Sequence, residues 1–391
     1  MSGHCFVSPL RGALGSLVLL VALGACAGGS QGTSQGAVVK APPAGSSVEG
    51  AVALQKGDRA AHAGEAAART ARFTLGTRRP LHGVLAVADG SEVVFSSAHG
   101  YADRERSVAS ALEKRFAIAS LGKQITAALV MQQVDQGKLA LDAPVSTYLS
   151  LGADWAKQVK VRHLLNHTSG IGKVDEPLRS APGSTFAYSN ANYDLLGKIV
   201  ERVSGQSFAE VAGRLFATCG MRETAGLDTP AAAERVVGYA EQEDGSLAIA
   251  SLEGMAEHVP SGGMVSSVAD LIRWNLCLHE GKAVSRASYE AMIRPTTRRA
   301  HRWGELGYGF GLQVSTAEGI TEFSHNGYIE GFIATLIYYP AQRRTLVALE
   351  NVALDSGDMG RVFAPHDEVR AQVRAELRGS SGGAEVAAPS E

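Results

Sequence analysis

The chain has 391 residues and a formal net charge of -2, from 37 Lys and Arg against 39 Asp and Glu. That length allows one large or two ordinary domains with a sizeable core. With charge nearly balanced and no basic stripe anywhere, nucleic acid is excluded as an expected partner.

The first residues read as a targeting segment: Arg11 supplies a modest positive region, Gly12 to Leu23 an apolar run, and Leu23-Gly24-Ala25 a small-residue ending. The run is too short to span a membrane and leads into a flexible tract. Cys26, directly after Leu-Gly-Ala, looks like the cysteine of a bacterial lipobox, which becomes the lipidated first residue. Ordinary secretion is the alternative, since Ala25-Cys26-Ala27 also fits an A-x-A cleavage site. The expectation is a signal peptide over residues 1–25 and a lipidated Cys26 followed by a tether over 26–50, rich in Gly, Ser, Ala, Pro and Gln. Such an anchor would hold the protein on the extracytoplasmic side of a bacterial membrane. Residues 378–391 read as a similar disordered tail. Of the remaining cysteines, Cys219 and Cys277 are expected as free buried thiols, although an exported protein is permitted a disulfide. No CxxC or His/Glu cluster suggests a metal, and no cofactor is expected.

The folded domain is expected over 51–377. Residues 51–72 are Ala-rich and helix-prone. Gly83 to Val87 and Glu92 to Ser96 flank Asp89-Gly90, a strong hairpin signal. A helix beginning at Ser120 is apolar on every side from Ile125 to Met131 apart from Thr126, so it is a buried one, and Gly137 is placed to cap its end. Residues 137–292 are mostly helical: Tyr193, Leu196, Ile199, Val200 and Val203 follow a helical period, and Ser207 with Glu210 forms a capping box, as Ser267 with Asp270 resembles. Beyond 305 the period changes to that of strands, at Phe310 to Val314, Ile320 to Ser324, Gly331 to Tyr339 and Thr345 to Asn351, before a last helix over Pro365 to Arg378. The fold class is thus α/β: one antiparallel sheet from strands within 81–119 and 305–352, flanked by helices, with a helical insert subdomain. A site at the seam between the two is expected.

Three short motifs carry chemistry. Ser120 and Lys123 are spaced i, i+3, so hydroxyl and amine share one helix face. Burial and the helix N-terminus both push the amine towards its neutral, basic form, and a serine beside it is an activated nucleophile. Alone, the pair is equally an N-capping serine with a surface lysine. Tyr188-Ser189-Asn190 offers a phenol whose pKa a nearby ammonium would lower, able to accept the serine proton, and an amide able to bind the lysine and the substrate. A packing tyrosine and a plain N-cap are the bland readings. His325-Asn326-Gly327 ends a strand and runs into a glycine-rich turn, unlike the H-x-G matches at His62 and His279.

In this order, Ser120-x-x-Lys123, Tyr188-x-Asn190 and His325-x-Gly327 resemble the motifs of the β-lactamase-related serine hydrolases, in the branch of class C β-lactamases, D-Ala-D-Ala carboxypeptidases and family VIII-type esterases. Gly137–Leu149, Val161–Ile171, Pro260–Ser267 and Gly307–Leu312 resemble further landmarks of that family. The resemblance implies a β-lactamase/transpeptidase-like fold, Ser120 as acylated nucleophile, and proton traffic shared by Lys123 and Tyr188. It also implies an oxyanion hole from the backbone N–H groups of Ser120 and Tyr328, and His325 keeping positive or hydrogen-bonding character beside Tyr188. Asn326 and Gly327 would contact substrate. His163 and His167 are expected to hold a loop. Class C enzymes have Lys-Thr-Gly as third motif, so His325-Asn326 lacks both a fixed charge and a hydroxyl for the substrate carboxylate. The resulting expectation is a monomeric serine hydrolase cleaving a small amide or ester, either a D-amino-acid peptide or a carboxylic ester. A β-lactamase proper and a catalytically silent peptidoglycan-binding lipoprotein are the alternatives.

Overall fold

A computed structural model describes residue 73 and residues 75–381. The targeting segment, Cys26, the tether and the helix expected over 51–72 lie outside the described residues.

The sheet has eight antiparallel strands. The first two are β1 (Gly83–Asp89) and β2 (Glu92–His99), and the other six follow the helical region: β3 (Thr297–His301), β4 (Gly304–Tyr308), β5 (Gln313–Ser315), β6 (Glu322–Ile329), β7 (Phe332–Tyr339) and β8 (Arg344–Glu350). Their spatial order is β3-β4-β5-β6-β7-β8-β1-β2, so the two ends of the chain meet where β1 pairs with β8 from Gly83↔Glu350 to Asp89↔Arg344. Side chains alternate between the faces. On one face Val84, Ala86, Ala334, Leu336 and Val347 join the main core. On the other, Leu85, Val87, Ile337, Leu346 and Ala348 pack against Val369, Val373 and Leu377 of the last helix. Charged Arg298 and Arg299 interrupt β3, which explains why no apolar alternation announced it; an edge strand tolerates such residues, and they discourage pairing with another chain.

Four further helices position the site: α1 (Gly122–Asp135), α2 (Asn190–Ser204), α3 (Phe208–Cys219) and α4 (Val268–His279). α1 is buried from Gly122 to Met131, whereas α2 and α3 bury one stripe each. Ser207 and Glu210 form the capping box of α3. Ser267 caps α4 by accepting from the Asp270 N–H, but Asp270 does not reach back; its carboxylate accepts from Glu223 N–H and Thr224 Oγ1 instead. The last helix, α5 (Ala364–Ser381), outruns its expected end, so residues 378–381 are helical rather than part of a disordered tail.

Cys219 and Cys277 are not free thiols. They form a disulfide between the C-terminal turns of α3 and α4, whose packing brings the two Cα atoms to 5.4 Å. At a sequence separation of 58, nothing in the linear spacing signalled the pairing.

A clamp fastens the start of the described chain to its end. Glu368 on α5 accepts from the backbone N–H groups of Gly76 and Arg78 at 3.0 and 2.9 Å. Arg79 forms a two-pronged ion pair with Glu350 at 2.8 and 2.7 Å, and His82 N–H donates to the same carboxylate at 2.9 Å. Burial alone would raise the Glu350 pKa, but its bonds to Arg79 and His366 hold it at about 2.

The disulfide yields a test. Closing a loop of this size stabilises by roughly 2–4 kcal/mol. Cys219→Ala/Cys277→Ala should therefore unfold at lower urea by about that amount, and free-thiol titration of the unmutated domain under denaturing, non-reducing conditions should find neither cysteine.

Candidate active site

The run Phe116 to Ile118 enters a 3-10 turn, Ala119–Leu121, that continues directly into α1. Ala119 sits at φ +48°, a conformation that L-residues seldom adopt and that costs on the order of 1–3 kcal/mol. It turns Ser120 out at the floor of a cleft of about 600 Å³, lined also by Tyr188, Arg299, His325, Asn326 and Tyr328.

Lys123 is fully buried. Its Nζ lies 3.1 Å from Ser120 Oγ and 2.8 Å from Asn190 Oδ1, and it also reaches the carbonyl oxygen of Ser261. Desolvation pulls its pKa down to about 7, against a weaker upward pull from Asp194. A neutral amine has two N–H donors and one lone pair. Asn190 Oδ1 and the Ser261 carbonyl can only accept, so they take both donors and leave the lone pair for the Ser120 hydroxyl.

Tyr188 donates its hydroxyl to Ser120 Oγ at 2.7 Å. Its ring is partly open to the cleft, with 41% of the residue's surface exposed. The phenol is not acidified as expected: desolvation raises its pKa, outweighing the opposing bond to Ser120 and the charge of Arg299. Behind it lies His167, fully buried at φ +58°, its ring centroid 4.4 Å from that of Tyr188. His167 Nδ1 accepts from the Ser189 N–H at 3.2 Å. The loop-holding histidine therefore holds the loop that carries Tyr188 and Asn190, a proximity invisible in the sequence.

The third motif differs most from expectation. His325 is buried, and its Nδ1 lies 2.7 Å from the Asn326 carbonyl, an acceptor, so that nitrogen carries the proton. Nε2 then accepts from Tyr308 O–H at 3.0 Å. Desolvation, with Lys123 adding repulsion, lowers its pKa to about 3, so the ring is neutral and bonded to Tyr308 rather than to Tyr188, whose ring centroid is 6.4 Å away. Asn326 is oriented by a chain of bonds. His366 Nε2 faces the Glu350 carboxylate at 3.0 Å, and its Nδ1 lies 2.7 Å from Thr335 Oγ1. Thr335 Oγ1 in turn accepts from Asn326 Nδ2 at 2.9 Å.

Gly327 and Tyr328 run beside the serine. A Cβ at position 327 would stand 2.5 Å from the Ile118 oxygen and 3.3 Å from Ser120 N, so only glycine allows β6 this close. β6 and β7 are joined by the two-residue turn Glu330-Gly331, and Ile329↔Phe332 closes the ladder. In that register Tyr328 turns its N–H away from β7. On that other side β6 has no strand partner past Ser324.

Sequence reasoning missed Ser261, Tyr308 and Arg299. The first two fall inside the landmark stretches Pro260–Ser267 and Gly307–Leu312, which marked their neighbourhood but not their bonds; nothing marked Arg299. Among the described residues no cluster of three or more His, Cys, Asp or Glu could hold a metal ion.

The family model described as Beta-lactamase matches residues 69–364, well over half the chain. Penicillin-binding protein 4* of Bacillus subtilis is 27% identical over 326 residues, spanning 72% of this chain and 71% of that protein. Esterase EstB of Burkholderia gladioli is 35% identical over 188 residues, 38% of this chain and 48% of the esterase. The crystal structure of a penicillin-binding protein from Bacillus halodurans superposes with a TM-score of 0.63 at 26% identity, covering 75% of this chain and 95% of that one. With the sheet, the helical insert and a serine, lysine and tyrosine in mutual contact at their seam, the chain belongs to the β-lactamase-related serine hydrolase family and has its β-lactamase/transpeptidase-like fold.

Proposed function

We propose that this protein cleaves a small amide or carboxylic ester through an acyl-serine intermediate on Ser120. The observation that carries the reading is the double contact on Ser120 Oγ, from Lys123 Nζ at 3.1 Å and Tyr188 O–H at 2.7 Å. Ser120 attacks the carbonyl carbon as Lys123 takes its proton. The oxyanion is met by the N–H groups of Ser120 and Tyr328. As the C–N or C–O bond breaks, Tyr188 gives its proton to the departing atom. In the second half the Tyr188 phenolate takes a proton from water, hydroxide attacks the acyl carbon, and Lys123 returns its proton to Ser120 Oγ. Lys123, held near neutral by burial, is thus the resting base, and Tyr188, with its raised pKa, starts as the acid.

The esterase relative favours ester cleavage as one arm of this activity, and resemblance to the carboxypeptidase branch favours D-amino-acid peptides as the other. A neutral His325 in place of the lysine of class C enzymes leaves β-lactam hydrolysis the least supported. The lipobox-like Cys26 supports a lipid-anchored location on the extracytoplasmic side of a bacterial membrane, and replacing it with Ala should release the protein from the membrane fraction.

The decisive experiment is active-site labelling. A fluorophosphonate probe should label the protein on Ser120, and labelling that survives Ser120→Ala would refute the assignment. One plate comparing a D-Ala-D-Ala peptide, a short-chain p-nitrophenyl ester and a cephalosporin ranks the substrate classes. Because the base must be neutral, kcat/KM should rise with pH through an inflection near 7 and fall away on the acid side; an inflection above 10 would instead make Tyr188 the resting base. Gly327→Ala should lower kcat by at least about a hundredfold, as loss of an oxyanion contact does, and circular dichroism should show whether the fold remains intact.

A further inference from the structure

The third motif of this chain offers an anion no positive charge. His325 is neutral, with its one N–H turned to the Asn326 carbonyl and its other nitrogen occupied by Tyr308. One N–H of the Asn326 amide is spent on Thr335 Oγ1 at 2.9 Å. The Asn326 Oδ1 is buried, and an amide oxygen repels a carboxylate.

Positive charge enters the cleft from another strand. Of the three arginines near β3, Arg298 pairs with Glu305 at 2.7 Å and Arg302 with Asp367 at 2.9 Å. Arg299 has no carboxylate partner among the described residues, and its Nε is buried with no hydrogen-bond acceptor. Its guanidinium carbon lies 5.4 Å from the ring centroid of Phe186 and 6.0 Å from that of Tyr188, so aromatic faces hold it over the cleft without neutralising it. Gln313, buried and lining the same cleft, leaves its Oε1 unpaired as well. A guanidinium with no carboxylate partner among the described residues and no acceptor on its buried Nε is an arrangement that awaits an anionic ligand.

We propose that Arg299 is the anion-binding group of this cleft and receives a carboxylate carried by the substrate, supplying the positive charge that the His325-Asn326 pair lacks. This rests on Ser120 being the acylated nucleophile and deepens that reading: preferred substrates bear a negative charge beside the scissile bond.

Arylboronic acids test it without knowledge of the natural substrate. Boron accepts a lone pair from Ser120 Oγ while the hydroxyl proton moves to Lys123, giving a tetrahedral adduct. Inhibition constants for benzeneboronic acid and its 3- and 4-carboxy derivatives are measured on the full protein by competition with fluorophosphonate labelling. At least one carboxy isomer should bind more tightly than the parent by roughly ten- to a hundredfold, the worth of a charge-assisted bond. Arg299→Gln should erase that ratio, and Arg299→Lys should keep part of it. Because the ratio is taken within one protein, partial unfolding of a variant does not alter it. No preference in the unmutated protein, or a preference that survives in Arg299→Gln, overturns the proposal. Failure of all three boronates together with absent labelling would strike the acyl-serine reading itself and remove this one with it.

Discussion

Everything at the centre of this molecule depends on keeping one amine dry. Bringing Lys123 from its ordinary value near 10.5 to about 7 corresponds to roughly 5 kcal/mol of lost preference for the charged form. The fold sustains that cost by burying α1 from Gly122 to Met131 and by giving the amine two uncharged acceptors, Asn190 Oδ1 and the Ser261 carbonyl. The protonation state is selected by burial with no counter-charge in contact. A carboxylate in place of Asn190 would hold the ammonium form and silence the base. The amide at Asn190 is therefore as much a part of the lysine's chemistry as burial is.

Much of this was legible in the sequence. The apolar run from Ile125 to Met131 announced a buried helix, and the i, i+3 spacing put Ser120 and Lys123 on one face of it. Asp89-Gly90 announced the first hairpin, and Ser207 with Glu210 the start of α3. What escaped detection depended on contacts far apart in the chain. Cys219 and Cys277 meet only because α3 packs on α4. The β3 strand carries charge where a strand template expects alternation. The sign of the Tyr188 shift was misjudged because desolvation outweighs the acidifying pull of the Ser120 bond and the Arg299 charge.

His325 shows how far a motif can be kept while its work changes. The position on β6, the following glycine and the close approach to Ser120 N all remain. The side chain has become part of the wall: a neutral ring that braces Tyr308 and turns its remaining proton onto its own strand. Retaining the backbone while reassigning the side chain is physically reasonable, since Gly327 and Tyr328 act through main-chain geometry that the residue at 325 does not set.

The clamp at the chain's entry also has a mechanical consequence. A pull applied to whatever precedes Gly76 meets the Glu368 carboxylate, then Arg79 seated on Glu350, and then the β1–β8 pairing. All three lie on the side of the sheet where α5 packs or within its middle strands, while Ser120 hangs beside the unpartnered edge of β6. Tension arriving through the N-terminal segment thus meets the last helix and the centre of the sheet first, and reaches the cleft only through the chain from Glu350 by His366 and Thr335 to Asn326.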